Sequence, residues 1–283
     1  MKKTLVFIMS SNYSGSHFLS LLLGSNSKSI HVGEVKNFFR ENYNCHVCGD
    51  TGACDLFKGL ENAPKSELYS TLFDRAPEGT EVIVDNSKKI GWVKQFLFLK
   101  QNYNIKIIFL LRDSRALSRR WAIRELSQWE RLRVRLKSAR RFISSAFDIL
   151  FSDPVYAYIY KWLEQNQRIS AFFKNSGIDY RVVTYREVAY EKQKTLKELT
   201  EFIGLEYEEE QIDYWKFEHH GTQKPQYEWI KKQQDSTHVD LRWKEFLTEK
   251  QQATILDSTH LRNFFSELNI DMGEEGLYKK RFT

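Results

Sequence analysis

Proline and glycine are scarce in this 283-residue chain, at four and thirteen, which excludes a collagen-like or linker-dominated protein. Cysteine is scarcer still, and three thiols cannot make the dense disulfide framework of a small secreted domain. No apolar run reaches the 18 residues or so needed to cross a bilayer. The opening MKKTLVFIM imitates an export signal, but its apolar stretch, Leu5 to Met9, is five residues long and runs straight into polar Ser10 to Ser14. A buried first strand fits better, and the expected setting is the reducing cytoplasm. A large charge excess is missing too. Lys and Arg number 43 against 37 Asp and Glu, a formal +6, which suits an anionic small ligand or mere solubility. Nucleic-acid binding would need that excess gathered into a stripe.

What is present is apolar and patterned. With 41% hydrophobic and 14% aromatic residues and no internal repeat, the chain reads as one globular domain over 1–283, least defined after about 250. Leu5 to Met9 has the continuous apolarity of a buried strand. A Ser/Asn/Gly turn follows, then Phe18, Leu19, Leu22 and Leu23 at helical spacing. Val82 to Val84 reads as a second strand, Trp92 to Leu99 as a helical stripe, and Ile105 to Leu111 as a third strand. A long basic helical region spans Ala116 to Leu150, and Tyr156 to Phe173 is helical again. Tyr180 to Thr184 is a strand, and Gln193 to Ile203 a helix closed by Gly204. Trp243 to Leu256 looks helical and is followed by a polar tail. Strands alternating with helices predict an α/β three-layer sandwich, a mainly parallel central sheet with helices on both faces.

In such a sheet ligands bind beyond the carboxyl ends of the strands, where helix N-termini favour anions. Ser10 to His17 occupies that place after the first strand. Gly15 permits close backbone approach, and Ser14, Ser16 and His17 carry hydrogen-bond donors, so the segment suits a phosphate. An ordinary capped turn is the plain alternative. The loop lacks the Gly-Lys-Ser/Thr ending of a nucleoside-triphosphate P-loop, which disfavours a kinase. Arg112 stands at the end of another apolar strand, where its planar fork can clamp a phosphate. Lys88, with Lys89 as a competitor, sits on the rim after the Val82 to Val84 strand.

These residues carry a resemblance. Tyr13-Ser14-Gly15-Ser16-His17-Phe18-Leu19, Asp85-Asn86-Ser87-Lys88 and Arg112-Asp113-Ser114-Arg115-Ala116 resemble, in order, three motifs of the PAPS-dependent sulfotransferases of bacterial, P-loop-related type. PAPS is 3′-phosphoadenosine 5′-phosphosulfate. The three motifs are the 5′-phosphosulfate loop, the D-x-S-K turn and the 3′-phosphate element. Trp162 and Asn166, Tyr185 and Glu187, and Asp240 to Trp243 extend the likeness over roughly Leu5 to Leu247. It implies a P-loop NTPase-like fold and transfer of a sulfuryl group from PAPS to an acceptor hydroxyl, on a carbohydrate, a glycolipid or another small molecule. The product nucleotide would be 3′,5′-ADP, and neither a metal nor nucleic acid would be required. Tyr13 to Phe18 would hold the 5′ group, Arg112 the 3′-phosphate and Tyr185 the adenine side. Glu34, in His31-Val32-Gly33-Glu34, would be the base, with Lys88 and His17 offsetting charge and His31 a rival base.

Two positions depart from the family. Tyr13 replaces a Lys or Arg, and Arg120 replaces a Ser about two turns after Arg112, with Ser118 the nearest hydroxyl. A P-loop-related kinase and a catalytically silent nucleotide-binding protein are therefore the alternatives. Cys45, Cys48 and Cys54 suggest a metal knuckle, but three thiols are one ligand short. His46 or His31 could complete the set, though a plain cysteine loop is preferred. His219-His220-Gly221, followed by Gln223-Lys224, reads as a loop near the nucleotide. Arg119 to Arg141 reads as a helix burying Leu126, Trp129, Leu132 and Leu136 and wetting its arginines.

Overall fold

The computed structural model describes residues 2–39, 45–49, 52–123, 127–151, 153–221, 228, 230 and 239–280. Five strands make the main sheet: β1 (Thr4–Ser10), β2 (Ser29–Gly33), β3 (Val82–Asp85), β4 (Asn104–Leu111) and β5 (Asp179–Thr184), in the order β2-β3-β1-β4-β5. All neighbours run parallel, with Phe7 opposite Asp85 on one side of β1 and Ile107 on the other. The central strand β1 is buried along its whole length, which is why its sequence is continuously apolar rather than alternating.

Period-two geometry sends alternate side chains to opposite faces. Leu5, Phe7 and Met9 join Ile107, Phe109 and Leu111 on one face, where α4 (Ser114–Ile123) and α7 (Pro154–Ser176) supply Leu117, Trp121, Trp162 and Leu163. Val6 and Ile8 join Ile108 and Leu110 on the other, against Phe18, Leu19 and Leu22 of α1 (Ser16–Gly24) and Leu196, Leu199 and Ile203 of α9 (Lys192–Ile203). Each fully buried Leu or Ile contributes about 1.5–3 kcal/mol. The three-layer α/β sandwich read from the sequence is therefore the observed one.

Several boundaries differ. The edge strand β2 was not foreseen. Its five residues, Ser-Ile-His-Val-Gly, carry little apolar signal, and parallel pairing with β3 supplies the order instead. The basic region read as helical from Ala116 to Leu150 holds, among the described residues, three α-helices: α4, α5 (Gln128–Arg141) and α6 (Ala146–Phe151). The expected polar tail instead forms a helix, Thr259–Glu267, and a hairpin of β6 (Ile270–Gly273) and β7 (Gly276–Lys279), burying Leu261, Phe264, Phe265, Ile270 and Leu277.

The largest correction concerns α5. Its start is well specified, since Ser127 and Glu130 form a capping box. Yet Trp129 is 80% exposed and Leu132 and Leu136 are 43% exposed, so the stripe expected to be buried faces outward. Leu126 lies outside the described residues. The helix packs instead through Ser138 and Ala139, with Val134 partly covered and Arg135 bonded to the Leu150 carbonyl. Periodicity identified which residues share a face but not which face meets a neighbour. Among the described residues no helix is long and apolar enough to cross a membrane.

Candidate active site

All five strands of the main sheet end toward one rim. The motif residues follow them directly: Ser11 to His17 after β1, Glu34 after β2, Asn86 to Lys88 after β3, Arg112 after β4 and Tyr185 after β5. Helix α1 follows β1 on one face of the sheet and α4 follows the adjacent β4 on the other. The crevice between the ends of β1 and β4 is therefore the topological switch point, where ligands of open α/β sheets bind.

The loop after β1 is held by its serines. Ser14 Oγ donates to the Ser11 carbonyl at 2.8 Å and lies 2.7 Å from Ser11 Oγ, so this hydroxyl shapes the loop rather than pointing outward as a donor. Gly15, at φ +89°, is the N-cap of α1, and no side chain caps that helix. Glycine is required there twice over. The backbone is left-handed, and a Cβ would lie 2.4 Å from the ring of Tyr185. Tyr185, the first residue of α8 (Tyr185–Tyr190), is thus wedged against the loop. Phe18 is buried, with its ring packed on Tyr214 at 5.4 Å, so its side chain belongs to the core.

Arg112 stands beside this loop. Its Nη1 donates to the Tyr13 carbonyl at 3.0 Å, and its guanidinium lies 4.5 Å from the centre of the Tyr185 ring. Asp240 Oδ2 is 3.8 Å from Nη2, and Trp162 Nε1 donates to the Arg112 carbonyl at 3.1 Å. The two sites inferred separately from Gly15 and Arg112 are neighbours. Arg115 does different work, chelating Asp113 with contacts of 2.7 and 3.1 Å, lying 3.8 Å over the Trp243 ring and donating to the Gly273 carbonyl at 2.6 Å. It ties α4 to the C-terminal hairpin.

The two departures meet. The exposed Arg120 guanidinium lies 4.2 Å from the centre of the Tyr13 ring, a cation–π contact that sets a positive charge over the neutral residue of the loop. Ser118 is fully buried, and its Oγ has no hydrogen-bond partner.

On the other side of β1, Lys88 Nζ is ion-paired with Glu34 Oε1 across 54 positions of sequence. Both are largely covered, at 11% and 27% side-chain exposure, so water screens the pair less than on an open surface. Asn37 Nδ2 approaches the second Glu34 oxygen at 3.4 Å. The preceding Asp85 is fully buried and accepts from Tyr69 Oη at 2.5 Å, Trp92 Nε1 at 2.9 Å and the Ser87 amide at 2.6 Å. Burial pushes its carboxyl up, against the pull of those donors. Tyr13 and Lys88 are two of three non-glycine residues at positive φ among the described residues, at 68° and 64°. Such conformations cost of order 1–3 kcal/mol and gather at functional sites. Lys89 is the exposed neighbour, reaching Asn12 Oδ1 at 3.3 Å.

His17, His31 and His219 form a ladder behind this rim, with ring centres 5.0 and 6.0 Å apart. Burial, followed by the charge of Lys88, lowers His17 to about 3. Burial likewise pushes His31 well down and takes His219 to about 4. A neutral His17 can donate a hydrogen bond but cannot supply the positive charge expected of it. The adjoining His220 turns away toward the cysteines, so the His219-His220-Gly221 segment packs against β2, where a Cβ on Gly33 would lie 2.0 Å from the Gly221 carbonyl oxygen. Gln223, Lys224 and their expected nucleotide contact lie outside the described residues.

Sequence reasoning missed Tyr69 and Trp92 as the anchors of Asp85, Asp240 as the carboxylate facing Arg112, and Asn86. Asn86 is fully buried, with neither atom of its side-chain amide hydrogen-bonded. Only the placement of Asn86 inside a motif could have drawn attention to it. A surface hollow lined by Lys106, Asp179 and Lys194 takes in Glu187 but neither Gly15 nor Arg112, whereas a smaller one reaches Arg112, Tyr185 and Asp240.

No family model matches the chain, and no curated protein matches it. Solved structures do. The sulfotransferase domain from the curacin biosynthetic pathway is 17% identical, with a TM-score of 0.53 over 94% of this chain and 97% of that one. The sulfotransferase domain from the Synechococcus PCC 7002 olefin synthase is 16% identical, with a TM-score of 0.56 over 93% and 94%. The chain has the sulfotransferase fold, of P-loop NTPase-like type.

Proposed function

We propose that the protein is a PAPS-dependent sulfotransferase that moves a sulfuryl group to an acceptor hydroxyl on a carbohydrate, a glycolipid or a similar small molecule. The observation that carries this reading is the 3.0 Å bond from Arg112 to the Tyr13 carbonyl, which sets a cationic fork beside the loop around Gly15. Two anion sites side by side suit one adenosine bearing phosphates at both its 3′ and 5′ positions.

In this reading the N-terminus of α1 and the loop amides receive the 5′-phosphosulfate, and Arg112 receives the 3′-phosphate by bidentate hydrogen bonds. The acceptor oxygen attacks sulfur in line. The bond from sulfur to the bridging phosphate oxygen breaks, and 3′,5′-ADP leaves with the electron pair. Glu34 takes the acceptor proton as attack proceeds, so the Glu34–Lys88 pair loosens when the acceptor enters. Lys88 then offsets charge on the transferred and leaving oxygens. Arg120, held over Tyr13, supplies at the rim the cation that the loop itself lacks. Buried Ser118 is a hydroxyl available to the 3′-phosphate side.

Incubation with labelled PAPS and a panel of glycans, lipids and small alcohols, followed by mass spectrometry, tests the reaction. Label on a hydroxyl is the expected result. Calorimetry tests the site itself: 3′,5′-ADP should bind much more tightly than 5′-AMP, and equal binding of the two removes the 3′-phosphate pocket. Magnesium-dependent consumption of ATP without PAPS binding would select a kinase, and tight 3′,5′-ADP binding without transfer a silent nucleotide-binding protein.

A further inference from the structure

The three cysteines lacked a fourth partner in the sequence, and the fold supplies one from 166 residues beyond Cys54. His220 Nδ1 lies 3.5 Å from Cys45 Sγ, 3.4 Å from Cys48 Sγ and 3.6 Å from Cys54 Sγ. All four ligand atoms lie within 4.8 Å of one another, and all three cysteines are free. Cys45 and Cys54 are fully buried and Cys48 partly so.

Hydrogen bonding does not account for this convergence. One imidazole nitrogen carries either a single proton or a single lone pair, and thiols are weak partners, so one Nδ1 cannot satisfy three sulfurs at once. A cation at the centre can. Zinc bonds sulfur at about 2.3 Å and nitrogen at about 2.0–2.1 Å, and tetrahedral angles between such bonds separate sulfur from nitrogen by about 3.5–3.6 Å. The three observed distances centre on that value. The spacing agrees as well, because Cys45 and Cys48 form the two-residue knuckle common to structural zinc sites. The other imidazole nitrogen, Nε2, lies 3.9 Å from a Glu218 carboxylate oxygen, in the place where a metal-bound histidine keeps its orienting acceptor.

We propose that Cys45, Cys48, Cys54 and His220 form a closed structural zinc site that clips the cysteine loop to the segment against β2. No open position is left for a substrate, so the ion is structural rather than catalytic. The consequence is local. His220 lies between His219, whose ring packs on His31 of β2, and Gly221, whose backbone abuts Gly33. Glu34 is the next residue. The ion therefore braces the wall from which Glu34 projects, and it does so whether or not the protein transfers sulfuryl groups. His46 and His31, the two candidates for a fourth ligand, are displaced by His220, and the expectation of a metal-free protein gives way for this corner of the molecule.

Elemental analysis of the full chain purified without chelator should give one zinc per chain. X-ray absorption should give three sulfurs near 2.3 Å and one nitrogen near 2.0 Å. Cobalt(II) exchanged into the site should show the intense visible absorption of a tetrahedral thiolate complex. Cys48→Ser, the least buried of the three cysteines, should bind substoichiometric zinc and unfold at a lower temperature than the parent, and His220→Ala should show the same loss with one fewer nitrogen. A folded wild-type chain without zinc that takes up no added cobalt overturns the site. So does a disulfide between any two of these cysteines in the native protein, or iron in place of zinc. Because 3′,5′-ADP binding is read separately by calorimetry, failure of the zinc site and failure of the sulfotransferase reading are distinguishable.

Discussion

The two sides of β1 hold different kinds of charge. Toward β4 and β5, Arg112 is fixed on a carbonyl, an aromatic ring and a nearby carboxylate, and Tyr185 fills the space against Gly15. That side is a rigid cationic wall, suited to holding an anion in one place. Toward β2 and β3, Glu34 and Lys88 neutralise each other, Lys88 has a left-handed backbone, and the histidines behind them are kept uncharged by burial. That side has a proton acceptor and a movable cation, suited to the bond-making step. In the proposed reaction binding and chemistry are divided by one strand, and substitutions on the two sides should separate them.

The largest effect is expected on the β2 side. Glu34→Gln should lower turnover by about 10²–10⁴-fold, the usual contribution of a general base, while 3′,5′-ADP binds within a few-fold of the parent. Steady-state rates with labelled PAPS and calorimetry on the same preparation decide it, and unchanged turnover moves the base elsewhere. On the β4 side, Arg112→Ala should remove most of the preference for 3′,5′-ADP over 5′-AMP. Charge-assisted hydrogen bonds of about 1.5–3 kcal/mol correspond to a loss of about 10- to 150-fold. If Lys88→Met weakened nucleotide binding as much as Arg112→Ala, the division across β1 would fail.

A smaller effect probes the uncharged character of the β2 side. His17 in the folded chain takes a proton only near pH 3, whereas in the unfolded chain it does so near 6.5. Its contribution to stability is complete above pH 6.5 and is lost as pH falls toward 3, by about 1.4 kcal/mol per pH unit. His17→Gln should flatten the acid limb of thermal stability, measured without nucleotide, by about that slope. Parallel pH curves for parent and variant would mean that His17 is not held neutral.

How much of this was legible in the sequence depends on how local each feature is. The β1 loop, Lys88 and Arg112 are short motifs beside strongly apolar strands, so chain order alone placed them on one rim. The Glu34–Lys88 pair required β2, whose five residues carry little apolar signal and are ordered by pairing with β3. The stacking of Arg120 on Tyr13 joins two positions that separately read as departures, and their contact exists only in space. His220 is the extreme case. Nothing in the spacing of Cys45, Cys48 and Cys54 points to a residue so far along the chain.

Helix α5 lies outside both sides of β1 and supplies the smallest expected change. Because Trp129 is 80% exposed, Trp129→Gln should alter stability by no more than about 0.5 kcal/mol and leave both 3′,5′-ADP affinity and turnover at parental values. The sequence reading, with Trp129 buried in a helical stripe, leads to a different number, since emptying a core site of that size costs about 3–5 kcal/mol. Thermal unfolding of the variant at low protein concentration separates the two. A loss near the larger figure would mean that another surface covers α5. A fall in turnover without loss of stability would instead extend the chemistry beyond the strand ends and break the division across β1.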